Sequence, residues 1–131
     1  SDSDLARWFG GITCFVSAAR GEAWGLMQME AMAVGRPVIA AIYGGLGEFM
    51  RVENSFPVDY DEVPAGEAWA HGGNWAEPNV KHIQHLMRKI YKDREIACKR
   101  GKVAAEDVKK FTWTNSAIET LKVMEELGAL V

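Results

Sequence analysis

Cysteine is scarce in this chain, with Cys14 and Cys98 the two thiols among 131 residues. Two are too few for a disulfide framework, and they read as reduced thiols of a cytosolic protein. Long apolar runs are also missing. No stretch approaches the roughly 18 consecutive apolar residues of a spanning helix. Ser1-Asp2-Ser3-Asp4 opens the chain without a basic-then-apolar leader. A large charge of one sign is missing too. The 15 basic and 18 acidic side chains leave a net charge of −3, which speaks against nucleic-acid binding driven by bulk charge. What is present is ordinary globular composition, 48% apolar and 25% charged, which excludes a disordered, collagen-like or low-complexity chain. A chain of this length makes about one domain and buries roughly two-thirds of the surface its unfolded form exposes.

The charge is uneven along the chain. Residues 1–76 carry 4 basic and 10 acidic groups, whereas residues 77–131 carry 11 basic and 8 acidic groups. Between Lys81 and Lys110 the count is 10 basic against 4 acidic. The plain reading of such a run is a solvated helical face. The sharper one is a patch that meets anionic lipid at a membrane surface, or another subunit.

Hydrophobic patterning predicts strand, helix and strand in quick succession. Residues 5–9 read as the end of a short helix closed by Gly10-Gly11, and residues 12–17 as a buried strand. A helix follows over 26–34, with Leu26, Met29, Met32 and Ala33 as its apolar positions. Gly35 fits its C′ position and Pro37 forbids continuation. Residues 38–41 form a second buried strand, and Gly44-Gly45-Leu46-Gly47 a glycine loop. Residues 52–77 read as irregular, with one short strand over 56–60. Pro78 suits a helix start, with Val80, Ile83, Met87, Ile90 and Tyr91 as one apolar face. A second helix covers about 95–110. A third is capped by Thr114, with Ser116 and Glu119 resembling a capping box, and carries an Ile118-Leu121-Met124 stripe that ends at Gly128.

Two strands joined through a helix imply a parallel pair with a right-handed crossover. Two strands alone make a poor parallel sheet, which is normally covered on both faces. The predicted class is therefore α/β, a partial Rossmann-like parallel sheet with flanking helices and a helical tail. It is a single partial domain, divided into a strand-helix-strand segment over 1–77 and helices over 78–131. Ligands of open α/β sheets bind beyond the strand carboxyl ends, which places a site between Ser17 and Glu48. The loops 18–25 and 42–48 would face one crevice, and their glycines would let a ligand approach the backbone. The helix near Gly25 aims free N–H groups there, an attractive end for a phosphate or diphosphate. Helical side chains lean toward the N-terminus, so Glu30 can reach back to a ligand at the helix start and accept hydrogen bonds from a vicinal diol such as ribose. Glu22 would lie on the far side of the phosphates. The plainer alternatives are a helix-dipole role for Glu22 and, for Glu30, a surface position or a pair with Arg36 or Arg20.

The run from Ser17 to Ala40 resembles the donor-site signature of retaining glycosyltransferases of family 4: two glutamates separated by seven residues, here Glu22 and Glu30, then Glu-Ala-Met, a glycine and Pro-Val-Ile. Gly44-Gly45-Leu46-Gly47-Glu48 is similar to that family's following glycine loop. Trp75-Ala76-Glu77-Pro78 and Phe111-Thr112-Trp113 are similar to its tail, so the resemblance runs from about Asp4 to Leu127. It implies the two-domain glycosyltransferase B fold, with this chain as the later part of the donor domain. The implied activity is transfer of a hexose from a nucleotide sugar to an acceptor hydroxyl with retention. By the same resemblance, Glu30 would bind the ribose hydroxyls, Glu22 would be the catalytic-site glutamate facing the donor sugar, and the amides at Gly25 and Leu26 would meet the diphosphate. Gly44 and Gly45 would add a weaker donor contact. The implied cofactor list is empty, with no metal, because the family neutralises the diphosphate with basic side chains and the helix N-terminus. The acceptor is unknown.

Two departures stand out. Ala23 occupies a position where glycine is common. The acceptor domain and the first donor-domain strands, with their Arg and Lys pair, lie outside this length; Arg20 would substitute in part or be an exposed loop arginine. A reading from another class is a binding or assembly module whose missing strands come from a complementing chain or an oligomer. A nucleic-acid binder using the basic run has no recognition motif behind it. His82 and His85, three apart, could begin a zinc site, but no cluster completes it and a surface or cap role fits better. Trp24 could line the donor pocket, while Trp69, Trp75 and Trp113 would pack helices onto the sheet.

Overall fold

The computed structural model describes residues 1–66 and 72–129, leaving out the Asp2 side chain. Trp69 and His71 lie outside the described residues. Helix α1 (Asp2–Gly11) is capped by Ser1, whose hydroxyl accepts the Asp4 N–H while the Asp4 carboxylate returns the contact. The helix is therefore longer than its apolar signal in residues 5–9, and it includes Gly10 and Gly11. Phe9 is its anchor, at 1% exposure. Strand β1 (Phe15–Val16) follows, then α2 (Leu26–Ala33), β2 (Val38–Ala40), a 3-10 turn (Gly44–Glu48) and β3 (Phe56–Pro57). The three strands form one parallel sheet in the order β1-β2-β3, registered as Phe15 to Val38 and Ile39 to Phe56.

The central strand explains the layers. Successive side chains of a strand point to opposite faces, and every residue of β2 is buried. Val38 and Ala40 join a core with Phe9, Met32 and Phe49. Ile39 and Ala41 join a second core with Phe56, Ile83 and Ile90. Both faces are thus covered, as a parallel sheet requires. Strand β1 is shorter than the predicted 12–17 run and is not buried: Phe15 is intermediate and Val16 exposed, because β1 lies at the sheet edge.

Helix α2 ends as its sequence requires. Gly35 adopts φ +72, its N–H donates to Met32, and the Arg36 N–H donates to Ala31, which is a Schellman closure. Its buried face is Gln28, Ala31 and Met32; Leu26 and Ala33 are exposed, so the apolar stripe is rotated from the expected one. Leu26 occupies the first turn of the helix and is 58% exposed.

The described parts of residues 52–77 hold more strand than predicted. Strands β4 (Tyr60–Pro64) and β5 (Asn74–Pro78) form an antiparallel hairpin, pairing Tyr60 with Pro78 and Pro64 with Asn74. Its sequence hides it, because Tyr-Asp-Glu-Val-Pro and Asn-Trp-Ala-Glu-Pro lack clean apolar alternation. Pro78 accordingly ends a strand rather than starting a helix. Asn79 is the cap of α3 (Val80–Lys92), accepting the His82 N–H at 3.0 Å. Ile83, Leu86 and Ile90 are buried on α3, whereas Val80, Met87 and Tyr91 of the predicted face are exposed.

Asp93 caps α4 (Arg94–Val108), where Gly101 meets the end of α2. A Cβ on Gly101 would lie 2.1 Å from the Gly35 carbonyl oxygen, so only glycine lets α4 pass so close. Thr112, not Thr114, caps α5 (Trp113–Glu126), accepting the Asn115 N–H at 3.1 Å. Ser116 and Glu119 form no capping box, since the helix has already begun; Glu119 pairs with Lys122 instead. Helix α5 buries no residue fully: in the Ile118-Leu121-Met124 stripe the first two are exposed and Met124 is half-buried. Trp113, at 91% exposure, does not pack a helix onto the sheet.

Candidate functional site

The loops following β1 and β2 meet directly. The Gly45 N–H donates to the Glu22 carbonyl at 3.0 Å. A Cβ on Gly45 would lie 2.1 Å from the Ala23 carbonyl oxygen, and one on Gly44 2.5 Å from that of Glu22. These two glycines are therefore required for loop-on-loop packing, which is a different reason from the ligand approach that the sequence suggested. Gly44 also adopts φ +63, a conformation that favours glycine.

Gly25 is the pivot between loop and helix. It caps α2 in the left-handed region, at φ 91, and no side chain caps the first turn. A Cβ there would lie 2.2 Å from Leu46 Cδ2, so the buried Leu46 of the 3-10 turn sets the helix entry. Leu46 is a positioning residue that the sequence reading passed over among its glycines. The result is an uncapped helix N-terminus at the strand carboxyl ends, where an anion is favoured by about 0.3–1 kcal/mol when exposed.

The two glutamates lie in different surroundings. Glu22 is half-buried at the loop, its Cγ 3.3 Å from the position a Gly25 Cβ would take. Glu30 lies one turn into α2, half-buried, and lines a shallow groove of about 180 Å³ with Leu5, Ala6, Phe9, Ala33 and Val34. Among the described residues neither carboxylate has a hydrogen-bond or ion-pair partner. The alternative pairs for Glu30 are not formed: Arg36 donates to the Gly10 carbonyl, and Arg20 pairs with Glu77 at 2.6 Å. Arg20 also stacks over Trp75, so it is an engaged loop arginine.

The aromatic and histidine side chains divide between core and surface. Trp24 packs on Phe49 and Phe111 and donates to the Met29 sulfur, which makes it a core residue rather than a pocket wall. His82 Nδ1 accepts the Asp59 N–H at 3.0 Å and lies 2.9 Å from the Asp59 carboxylate, tying α3 to the start of the hairpin. Among the described residues no group of three His, Cys, Asp or Glu side chains could hold a metal ion. Cys14 and Cys98 are both free. Burial pushes the Cys14 thiol up to about 12.

A covered parallel sheet with an uncapped helix start at its carboxyl ends defines an α/β ligand-binding architecture. Residues 1–71, more than half of the chain, match the family described as glycosyl transferases group 1, and the chain belongs to that family. It is 28% identical over 129 residues to a D-inositol 3-phosphate glycosyltransferase of a Nocardioides species, covering 98% of this chain and 25% of that protein. It is 27% identical over 129 residues to an uncharacterized glycosyltransferase of Methanocaldococcus jannaschii, covering 98% of this chain and 32% of that protein. The fold superposes on sucrose-phosphate synthase from Thermosynechococcus elongatus with a TM-score of 0.74 at 25% identity, over 98% of this chain and 28% of that one. The chain thus spans about a quarter to a third of the length of these two relatives.

Proposed function

We propose that this chain is the donor-side segment of a nucleotide-sugar-dependent hexosyltransferase, of the retaining family 4 type, serving glycan biosynthesis. In this reading the Leu26 amide and the α2 N-terminus receive the diphosphate, with Gly25 shaping the entry and the Gly44-Gly45 turn as a weaker contact. Glu30 accepts hydrogen bonds from the ribose hydroxyls, and Glu22 faces the donor sugar. Catalysis would be mainly electrostatic, aimed at the charge that develops on the departing diphosphate. No metal is needed for that role in this reading. The observation that carries the proposal is the uncapped α2 N-terminus with Glu22 beside its entry and Glu30 one turn in, neither carboxylate having a partner among the described residues. The acceptor would bind to parts of the enzyme beyond this segment, and the isolated chain is not expected to transfer sugar. The two free thiols suit a reducing compartment such as the cytoplasm. The basic faces of α3 and α4 suit peripheral contact with anionic lipid. Among the described residues no helix is long and apolar enough to cross a membrane.

Titration of the chain with UDP and with GDP, by calorimetry or NMR, tests this reading. Saturable binding that Glu30→Ala weakens by about 1–3 kcal/mol is expected, the worth of hydrogen bonds to a charged group. Unchanged affinity in that variant removes the ribose role. The better of the two nucleotides would indicate the donor class.

A second reading, an assembly module, is favoured by the exposed edge of β1. Beside it, a groove of about 320 Å³ is lined by Thr13, Val16, Met87, Tyr91 and neighbouring residues. Light scattering decides it: a strictly monomeric, cooperatively folding chain argues against this second reading.

A further inference from the structure

The β4-β5 hairpin touches both loops of the candidate site. On one side the Ala76 N–H donates to the Arg20 carbonyl at 2.8 Å, while the Arg20 guanidinium pairs with Glu77 and stacks over Trp75. On the other side the Tyr43 hydroxyl donates to the Asn74 carbonyl at 2.9 Å, and its ring meets Tyr60 edge-on at 5.6 Å. The third contact is the bond between loops, Gly45 N–H to Glu22 carbonyl. Hairpin, first loop and second loop are thus joined pairwise into a closed triangle. Glu22 lies inside it, its own carbonyl held by Gly45 and the residue two positions earlier held by β5.

We propose that the hairpin is a positioning clamp for the donor site, with Arg20, Tyr43 and Glu77 as positioning residues that fix where the Glu22 carboxylate and the α2 N-terminus face. This inference rests on the donor-site reading. None of the three residues needs to touch the ligand. Their side chains bond to the hairpin or across from it, and among the described residues the Glu22 carboxylate has no partner, so its backbone sets where it faces. A surface ion pair such as Arg20–Glu77 is weak in isolation. Inside a closed triangle it acts together with a backbone hydrogen bond and a ring stack, so loss of one side is tolerated better than loss of two.

The test uses the whole chain and two readouts. Amide hydrogen exchange is followed at Gly45 and Ala76, with Val58, whose N–H donates to Ala40 in the core, as the control for an intact fold. UDP and GDP affinities are measured on the same samples. Tyr43→Phe and Arg20→Ala together are expected to speed exchange at Gly45 and Ala76 by about tenfold or more, one hydrogen bond's worth, with Val58 unchanged. Nucleotide affinity is expected to fall about threefold to tenfold, with partial rescue when Arg20→Lys replaces Arg20→Ala. Unchanged exchange at both amides overturns the clamp. Faster exchange with unchanged nucleotide affinity reduces the hairpin to a structural brace and overturns the positioning role. If the unmodified chain binds neither nucleotide, the donor-site reading fails separately, and the exchange result still decides whether the triangle exists.

Discussion

The two edges of the parallel sheet are built very differently. At the β3 edge, Phe56 is fully buried and Arg100 of α4 stacks on its ring at 4.4 Å. Just before it, Asn54 and Ser55 are also fully buried, and both side chains are hydrogen-bonded, Ser55 donating to the Arg51 carbonyl at 2.6 Å. Asn54 accepts the Arg51 N–H and donates to the Phe49 carbonyl and the Asp107 carboxylate, at 2.8, 2.8 and 2.9 Å. Arg100 donates to the Ser55 carbonyl at 2.7 Å. Pro57 then ends the strand with a residue that offers no ladder N–H, a common protection for an edge. At the β1 edge, Val16 is 37% exposed, and Met87 and Tyr91 of α3 stand beside it at 49% and 75%. One edge is finished by side chains and caps. The other presents backbone and apolar surface of the kind a further element covers.

The largest expected effect separates the two edges in one experiment. Phe56→Ala should destabilise the chain by about 3–5 kcal/mol, the cost of emptying a buried aromatic site. Val16→Ala should cost about 1 kcal/mol or less, because more than a third of that residue stays in water in the folded chain. Urea midpoints measure both, and equal losses would erase the distinction between the edges. Next in size is Gly101→Ala, which drives a methyl group into the Gly35 carbonyl at the α2–α4 crossing. About 1–3 kcal/mol of destabilisation is expected, as for overpacking elsewhere. A neutral result there would mean that α4 can move away from α2 freely.

The smallest effect concerns Cys14, half-buried at the open edge. An unfolded thiol titrates near ~8.5, whereas burial holds the folded Cys14 at about 12. The folded state therefore keeps its proton where the unfolded chain loses it. Stability from this group is fully present below ~8.5 and declines as pH rises toward the folded value. Cys14→Ala should flatten that alkaline decline. Iodoacetamide at mildly alkaline pH should modify the exposed Cys98 well before Cys14. Equal alkylation rates would show that the β1 edge opens to solvent more than its thiol's burial implies.

Legibility followed the same divide. Residues whose meaning is local were readable: Gly35 and Pro37 ending α2, the apolar run of β2, and the run from Glu22 to Ala40 that carries the family resemblance. The β4-β5 hairpin was not readable, since its strands are stabilised by Tyr43, Arg20 and Ala76 contacts rather than by alternating apolar faces. Thr112 and Thr114 are both competent caps, and only the chain's path out of α4 selects the first. The predicted faces of α3 and α5 are apolar in sequence, yet Val80, Met87 and Tyr91 of one and Ile118 and Leu121 of the other are exposed, because burial depends on a neighbour that periodicity cannot supply.

For the site, the chain by itself determined which residues are available: two glutamates separated by seven residues, a glycine at the helix entry and a second glycine-rich loop. Those follow from residue type and spacing. Tertiary structure decided what each does. Gly44 and Gly45 make room for another loop, Leu46 holds Gly25, Trp24 turns inward, and Arg20 is committed to Glu77. The reason is physical: side-chain chemistry is local, but which partner removes a group from water is set by elements distant in sequence that packing brings together.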